Sequence, residues 1–141
     1  MTIAGKPIRV MLVEDNPSDA RLMIEALRDA DFDGDLRIVH DGVEAMNHLR
    51  ERTQSLPDLV LLDLNLPRKD GREVLAEMKR DPLLRHIPVV VLSTSRNEQD
   101  VRRSYELGAN AFLSKPAEMN ELFQTAKIIK VFWSEAKLWR P

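Results

Sequence analysis

The residues of this chain that could do chemistry stand where its apolar runs end. Glu14 and Asp15 follow Ile8 to Val13, Asp63 follows Leu59-Val60-Leu61-Leu62, Ser93 follows Val89 to Leu92, and Lys115 follows Ala111-Phe112-Leu113-Ser114. Carboxylates brought together repel one another unless a cation neutralises them, and ligation by carboxylate oxygens and water suits Mg²⁺. A lone ammonium facing such a cluster can pair with Asp63 and then with the oxygens of a phosphoryl group. Ser93 adds a hydroxyl donor. A metal site, a carboxylate nucleophile, a hydroxyl and a cation are the parts that phosphoryl transfer onto an aspartate requires. Taken singly, each residue has a plainer use: Asp63 as a loop cap, Glu14-Asp15 as acidic charge at a helix N-terminus, Lys115 as a surface lysine. Pro116 weighs against the last, because the residue before a proline is restricted and an X-Pro bond can be cis, which would aim the lysine.

Such a gathering needs a fold that carries the ends of the runs to one rim. Short apolar runs alternate with amphipathic stretches along the chain, the rhythm of βαβ units. Strands are expected over Ile8 to Val13, Leu36 to Val39, Asp58 to Leu62, Val89 to Leu92 and Ala111 to Leu113. Between them, Asp15-Asn16-Pro17 opens a helix with Ala20, Met23, Ile24 and Leu27 on one face, and Asp41-Gly42 opens one carrying Val43, Met46 and Leu49. Asp70-Gly71 opens a third with Val74, Leu75 and Met78. Asn97 caps a fourth, from Glu98 to about Leu107, with Gly108 placed as its left-handed terminator. The last helix starts near Glu118 and runs past Trp133. Together these make an α/β sandwich, a five-stranded parallel sheet doubly wound with helices, and ligands bind beyond the carboxyl ends of such strands.

At 141 residues, 43% hydrophobic and 31% charged, the chain fits one domain, residues 1–141, with a real core. A net charge of −2 leaves no basic excess for nucleic acid. Zero cysteines exclude disulfides and thiolate metal sites and agree with a cytoplasmic protein. No window approaches the ~20 apolar residues of a membrane span, and Met1 to Pro7 has no stretch of signal-peptide length.

The sequence resembles the CheY-like receiver domains of two-component response regulators. The resemblance rests on Val13-Glu14-Asp15-Asn16, on Leu61-Leu62-Asp63-Leu64-Asn65-Leu66-Pro67 with Asp70-Gly71 following, and on Val91-Leu92-Ser93, Gly108-Ala109 and Ser114-Lys115-Pro116, in that order. It implies a flavodoxin-like (βα)5 fold with strand order 2-1-3-4-5. It further implies Asp63 as the acceptor of a phosphoryl group from a phosphohistidine of a sensor histidine kinase. Mg²⁺ would then be held by Glu14, Asp15, Asp63 and the carbonyl of Asn65, and Ser93 and Lys115 would contact the phosphoryl oxygens. Phe112 matches the position of an aromatic switch, and an ordinary core residue of the fifth strand is the equal alternative. The chain departs from the commonest pattern in having Glu-Asp rather than Asp-Asp at 14 and 15, serine rather than threonine at 93, and phenylalanine rather than tyrosine at 112. Glu14 is accordingly expected to act on the metal through water.

The chain stops shortly after the fifth helix, so its output is expected to be a protein contact made by the receiver itself. Met119, Leu122, Ala126, Ile129 and Trp133 form the sheet-facing stripe of that helix, whereas Ile128, Val131 and Phe132 lie off it and call for a second burying surface. With Trp139 in the tail of the 118–141 segment, they suggest a homodimer through the face formed by the fourth helix, fifth strand and fifth helix; the alternative is a tail folded onto its own core. The aromatic terminus and the Asn16-Pro17-Ser18-Asp19 opening resemble regulators paired with phytochrome-type histidine kinases. Two other functions compete: a haloacid-dehalogenase-like phosphatase, which would carry aspartate where Asn65 stands, and a pseudo-receiver that binds partners unphosphorylated. Neither the phosphatase residue nor a cap domain is present in the sequence, so the expectation is a phosphoacceptor and not an enzyme.

Overall fold

The computed structural model describes residues 2–3, 6–32, 34–51, 56–115 and 119–135, with the backbone alone described at 2, 3, 6, 7, 119 and 132–135. Its core is a parallel sheet of β1 (Arg9–Val13), β2 (Asp35–Val39), β3 (Leu59–Leu62), β4 (Val89–Ser93) and β5 (Ala111–Ser114) in the spatial order β2-β1-β3-β4-β5. The helices between and after them are α1 (Pro17–Asp29), α2 (Gly42–Arg50), α3 (Gly71–Arg80), α4 (Glu98–Glu106) and α5 (Met119–Glu135). This is the expected flavodoxin-like arrangement. An antiparallel pairing of Thr2–Ile3 with Lys6–Pro7, which no sequence signal announced, precedes it.

Alternation along the strands divides the core in two. Met11, Val13, Val60, Leu62, Val89 and Val91 face α2 and α3, while Val10, Leu12, Leu59, Leu61, Val90 and Leu92 face α1 and α5. The central strands β3 and β4 are buried throughout, as strands covered on both faces must be, and the edge strand β2 alternates with solvent. In α1 the buried positions are Ala20, Met23, Ala26 and Leu27; Ile24, expected on that face, is half-buried because the helix turns Ala26 inward. In α5 the expected stripe is buried at Leu122, Ala126 and Ile129, whereas Ile128 and Val131 are 62% and 61% exposed. The side chains of Met119, Phe132 and Trp133, Trp139 and the Lys115-Pro116 bond lie outside the described residues.

Register makes the rim. Val13 pairs with Leu62, and Leu62 with Val91, so one further residue sets Glu14 beside Asp63. Ser93 pairs with Ser114, and the Lys115 amide then donates to the Ser93 carbonyl at 2.7 Å. Helix starts follow from local chemistry. Asn16 accepts from the amides of Ser18 and Asp19 at 2.9 and 3.1 Å, and Asp41, Asp70 and Asn97 cap α2, α3 and α4 in the same way. Gly108 ends α4 with φ of 109°, a conformation that favours glycine. Asp58, expected inside strand three, instead precedes it and ties β3 to β1: its carboxylate accepts from the Arg9 amide at 2.8 Å.

The loop from Asp63 to α3 is pressed onto Gly71. A methyl group there would lie 2.2 Å from the Asp63 carbonyl oxygen and 2.7 Å from Leu64 Cα, backbone that cannot yield without moving the loop. Gly71→Ala is expected to cost about 1–3 kcal/mol, as overpacked sites do, with an unchanged m-value in urea unfolding. A neutral or stabilising effect would contradict this packing.

Candidate functional site

Glu14, Asp15 and Asp63 meet at the carboxyl rim of the sheet. Each offers an oxygen within 4.8 Å of the others. Glu14 and Asp63 are nearly buried, since the strands that deliver them are central, and Asp15 points to solvent. The Asn16 amide donates to Glu14 Oε2 at 3.3 Å and the Asn65 amide to Asp63 Oδ1 at 3.3 Å, so the backbone of the adjoining loop partners one oxygen of each carboxylate. Asn65 itself is exposed.

Lys115 brings β5 into the cluster. Its ammonium is hydrogen-bonded to Glu14 Oε1 and lies 3.0 Å from Asp19 Oδ2 and 3.5 Å from Asp63 Oδ2. Asp19, on the first turn of α1, is marked in the sequence only as part of that helix's opening. An acidic residue at a helix N-terminus already has a reason to be there, which concealed its second use.

Burial pushes the Glu14 carboxyl up to about 7, although the hydrogen bond from Lys115 pulls the other way; the charge of Asp63 adds to the rise. Burial would depress the Lys115 ammonium, but its hydrogen bond to Glu14 and the charge of Asp63, with Asp19, outweigh it and hold that pKa above the ordinary lysine value. Carboxylate oxygens alone, open to water on the Asp15 side, form a donor set that fits a hard divalent cation.

Ser93 is fully buried, and its hydroxyl oxygen accepts from the Ser95 amide at 3.1 Å. Among the described residues it makes no hydrogen bond to the carboxylates. Because that contact uses only a lone pair, the hydroxyl proton is left to donate. Ser95 in turn donates to Asp100 Oδ2 at 2.6 Å, and Asp100 Oδ1 accepts from Arg72 of α3 at 2.9 Å. Nothing in the sequence marks Ser95 of the loop after β4, Asp100 of α4 and Arg72 of α3 as neighbours. Phe112 is half-buried against the α2/α3 side of the core, and its amide donates to the Tyr105 hydroxyl of α4 at 3.1 Å. A cleft of about 320 Å³ opens beside Lys115, lined by Asp19, Leu22, Thr94, Arg96 and Ser114 among others. No described helix is long and apolar enough to cross a membrane.

A family profile described as the response regulator receiver domain matches residues 10–127. Response regulator Rcp1 of Synechocystis sp. is 48% identical over 136 residues, spanning 94% of this chain and 92% of that protein. Among solved structures, the phosphorylated cyanobacterial phytochrome response regulator RcpA superposes with a TM-score of 0.88 at 50% identity, covering 94% of this chain and 99% of that one. The Mn²⁺-bound form of Rcp1 superposes with a TM-score of 0.86 at 46% identity, with the same coverage of 94% and 99%.

The raised Glu14 pKa has a consequence for stability. The native carboxyl keeps its proton up to about pH 7, whereas the unfolded one loses it near 4.5, so the native state binds more protons across that window. In metal-free protein this contribution to stability therefore falls as the pH rises through it. Glu14→Gln removes the contribution. With a chelator present, urea unfolding should show the variant gaining on the wild type between pH 4.5 and 7; a constant difference, or one that moves the other way, contradicts the assignment.

Proposed function

The chain belongs to the receiver family of two-component response regulators, whose members accept a phosphoryl group on an aspartate and signal through protein contacts, and we propose that Asp63 is that aspartate here. The observation that carries the proposal is the meeting of Asp63 with Glu14, Asp15 and Lys115 at one rim. Receivers are phosphoryl acceptors, not enzymes that turn over an exogenous substrate. Asn65, where a phosphatase of the competing kind would place its acid, agrees with that.

In the proposed reaction a carboxylate oxygen of Asp63 attacks the phosphorus of a phosphohistidine on a sensor kinase. The new O–P bond forms as the P–N bond breaks, and the electron pair returns to the imidazole nitrogen. Lys115 turns from the Asp63 carboxylate to the phosphoryl oxygens, and the free proton of the Ser93 hydroxyl is donated to another of them. Mg²⁺, held by Glu14, Asp15, Asp63 and the Asn65 carbonyl, would when bound neutralise charge on the phosphoryl group in transfer. That a relative takes Mn²⁺ supports a divalent ion at this place. Phe112 follows Ser93 as the switch residue, swinging further inward as the hydroxyl is drawn to the phosphoryl group.

The kinase is of phytochrome type, a reading supported by the likeness to the phytochrome response regulator RcpA. Output passes through α4, β5 and α5 to a second copy of the chain, with the exposed Ile128 and Val131 at the contact and Phe132 and Trp139 continuing it. The protein acts in the cytoplasm, where such kinases present their phosphohistidine.

Incubation with phosphoramidate and Mg²⁺ is expected to add one phosphoryl mass to the wild type and none to Asp63→Asn, read by intact mass spectrometry. An unmodified wild type, or modification that survives the substitution, would sink the assignment. Light scattering with beryllofluoride as phosphoryl mimic is expected to report a dimer that Ile128→Asp with Val131→Asp returns to monomer. A dimer indifferent to both substitutions would place the contact elsewhere.

A further inference from the structure

We infer that Asp19 is a positioning residue of this site, the carboxylate that keeps Lys115 in place while a divalent cation takes the others. The inference rests on the metal-binding reading of the rim and deepens it. The ammonium has three N–H donors and meets three carboxylates, those of Glu14, Asp19 at 3.0 Å and Asp63 at 3.5 Å. Glu14 and Asp63 belong to the cluster whose oxygens lie within 4.8 Å of one another, and Asp19 does not. A cation that draws those two away leaves Lys115, whose side chain is 13% exposed, beside a like charge. Among the described residues Asp19 is then its remaining counter-charge.

The geometry suits that part. α1 fixes the Asp19 backbone, with its amide capped by Asn16 at 3.1 Å. Its side chain is 40% exposed, against 5% for Glu14 and 11% for Asp63, so water reaches it where burial excludes water from them. Asp19 and Lys115 both line the cleft beside the cluster, which gives the ammonium room to withdraw toward Asp19 without leaving the rim. Without Asp19 the ammonium leans on Glu14 and Asp63 alone, and there it competes with the incoming cation.

Calorimetric titration of the full chain with Mg²⁺ tests this in four proteins: wild type, Asp19→Asn, Lys115→Ala and the double variant, each checked for folding by circular dichroism. Asp19→Asn is expected to weaken Mg²⁺ binding about three- to tenfold, and by less than about twofold when Lys115 is already alanine, the coupling of residues that act through one another. Equal weakening in both backgrounds would mean that Asp19 acts as bulk negative charge and would overturn the inference, as would undiminished affinity in Asp19→Asn. Asp15→Asn separates the two claims. If it abolishes binding while Asp19→Asn leaves it intact, the metal site stands and the inference falls; a wild type that takes no Mg²⁺ removes both.

Discussion

Everything at the rim answers to one electrostatic constraint, the crowding of carboxylates at the ends of buried strands. At an effective dielectric constant of ~20, two unit charges within 4.8 Å of each other repel by about 3 kcal/mol, so an ionised Glu14–Asp63 pair alone would offset a sizeable share of a typical domain's stability, ~5–15 kcal/mol. One lysine relieves part of the repulsion, and burial, with a smaller push from the Asp63 charge, still keeps the Glu14 carboxyl raised. The metal-free site therefore stays poised between a proton, an ammonium and a divalent cation. A site balanced in this way responds to a new dianion by redistributing its cation contacts, which a fully neutralised cluster would have no reason to do.

Such crowding is tolerable only on a rigid support. Parallel register fixes it: the pairing of Val13 with Leu62 sets Glu14 beside Asp63, and that of Ser93 with Ser114 delivers Lys115. Behind Glu14 and Asp63 stand strands covered on both faces, so that part of the rim cannot relax by sliding a strand without turning apolar side chains into solvent. The loop after Asp63 is held as firmly. Arg68 adopts a left-handed φ of 66° while its guanidinium reaches Asp41 at 3.3 Å, and the Gly71 amide closes back on the Leu64 carbonyl at 2.9 Å.

The strands, the caps and the five rim residues were legible because each leaves a local mark: an apolar run, an asparagine or aspartate before a helix, a polar residue where a run stops. Asp19 leaves only the mark of an acidic residue opening a helix, and the Arg72–Asp100 pair leaves none. Asp19 lies 96 positions from Lys115, and the contact depends on the angle at which α1 leaves β1. Arg72 and Asp100 are ordinary charges in two polar helix faces until packing sets α3 beside α4. Sequence patterns report what a residue does for its own element, and these three act between elements.

The same distinction separates α4 from its neighbours. α3 buries Val74, Leu75 and Met78, each contributing about 1.5–3 kcal/mol, whereas Ser104 is the only buried residue of α4. Polar contacts hold α4 instead: Asp100 to Arg72 and Ser95, and Tyr105 to the Phe112 amide. The Ser95 amide in turn rests on the Ser93 hydroxyl, so one hydrogen-bonded chain runs from the rim to the most weakly anchored helix. Coupling between sites is typically about 1–3 kcal/mol, too little to displace an element held by three buried apolar side chains. Directed hydrogen bonds fail over a few tenths of an ångström, and a helix held chiefly by them can be moved by an event as small as the turning of one serine.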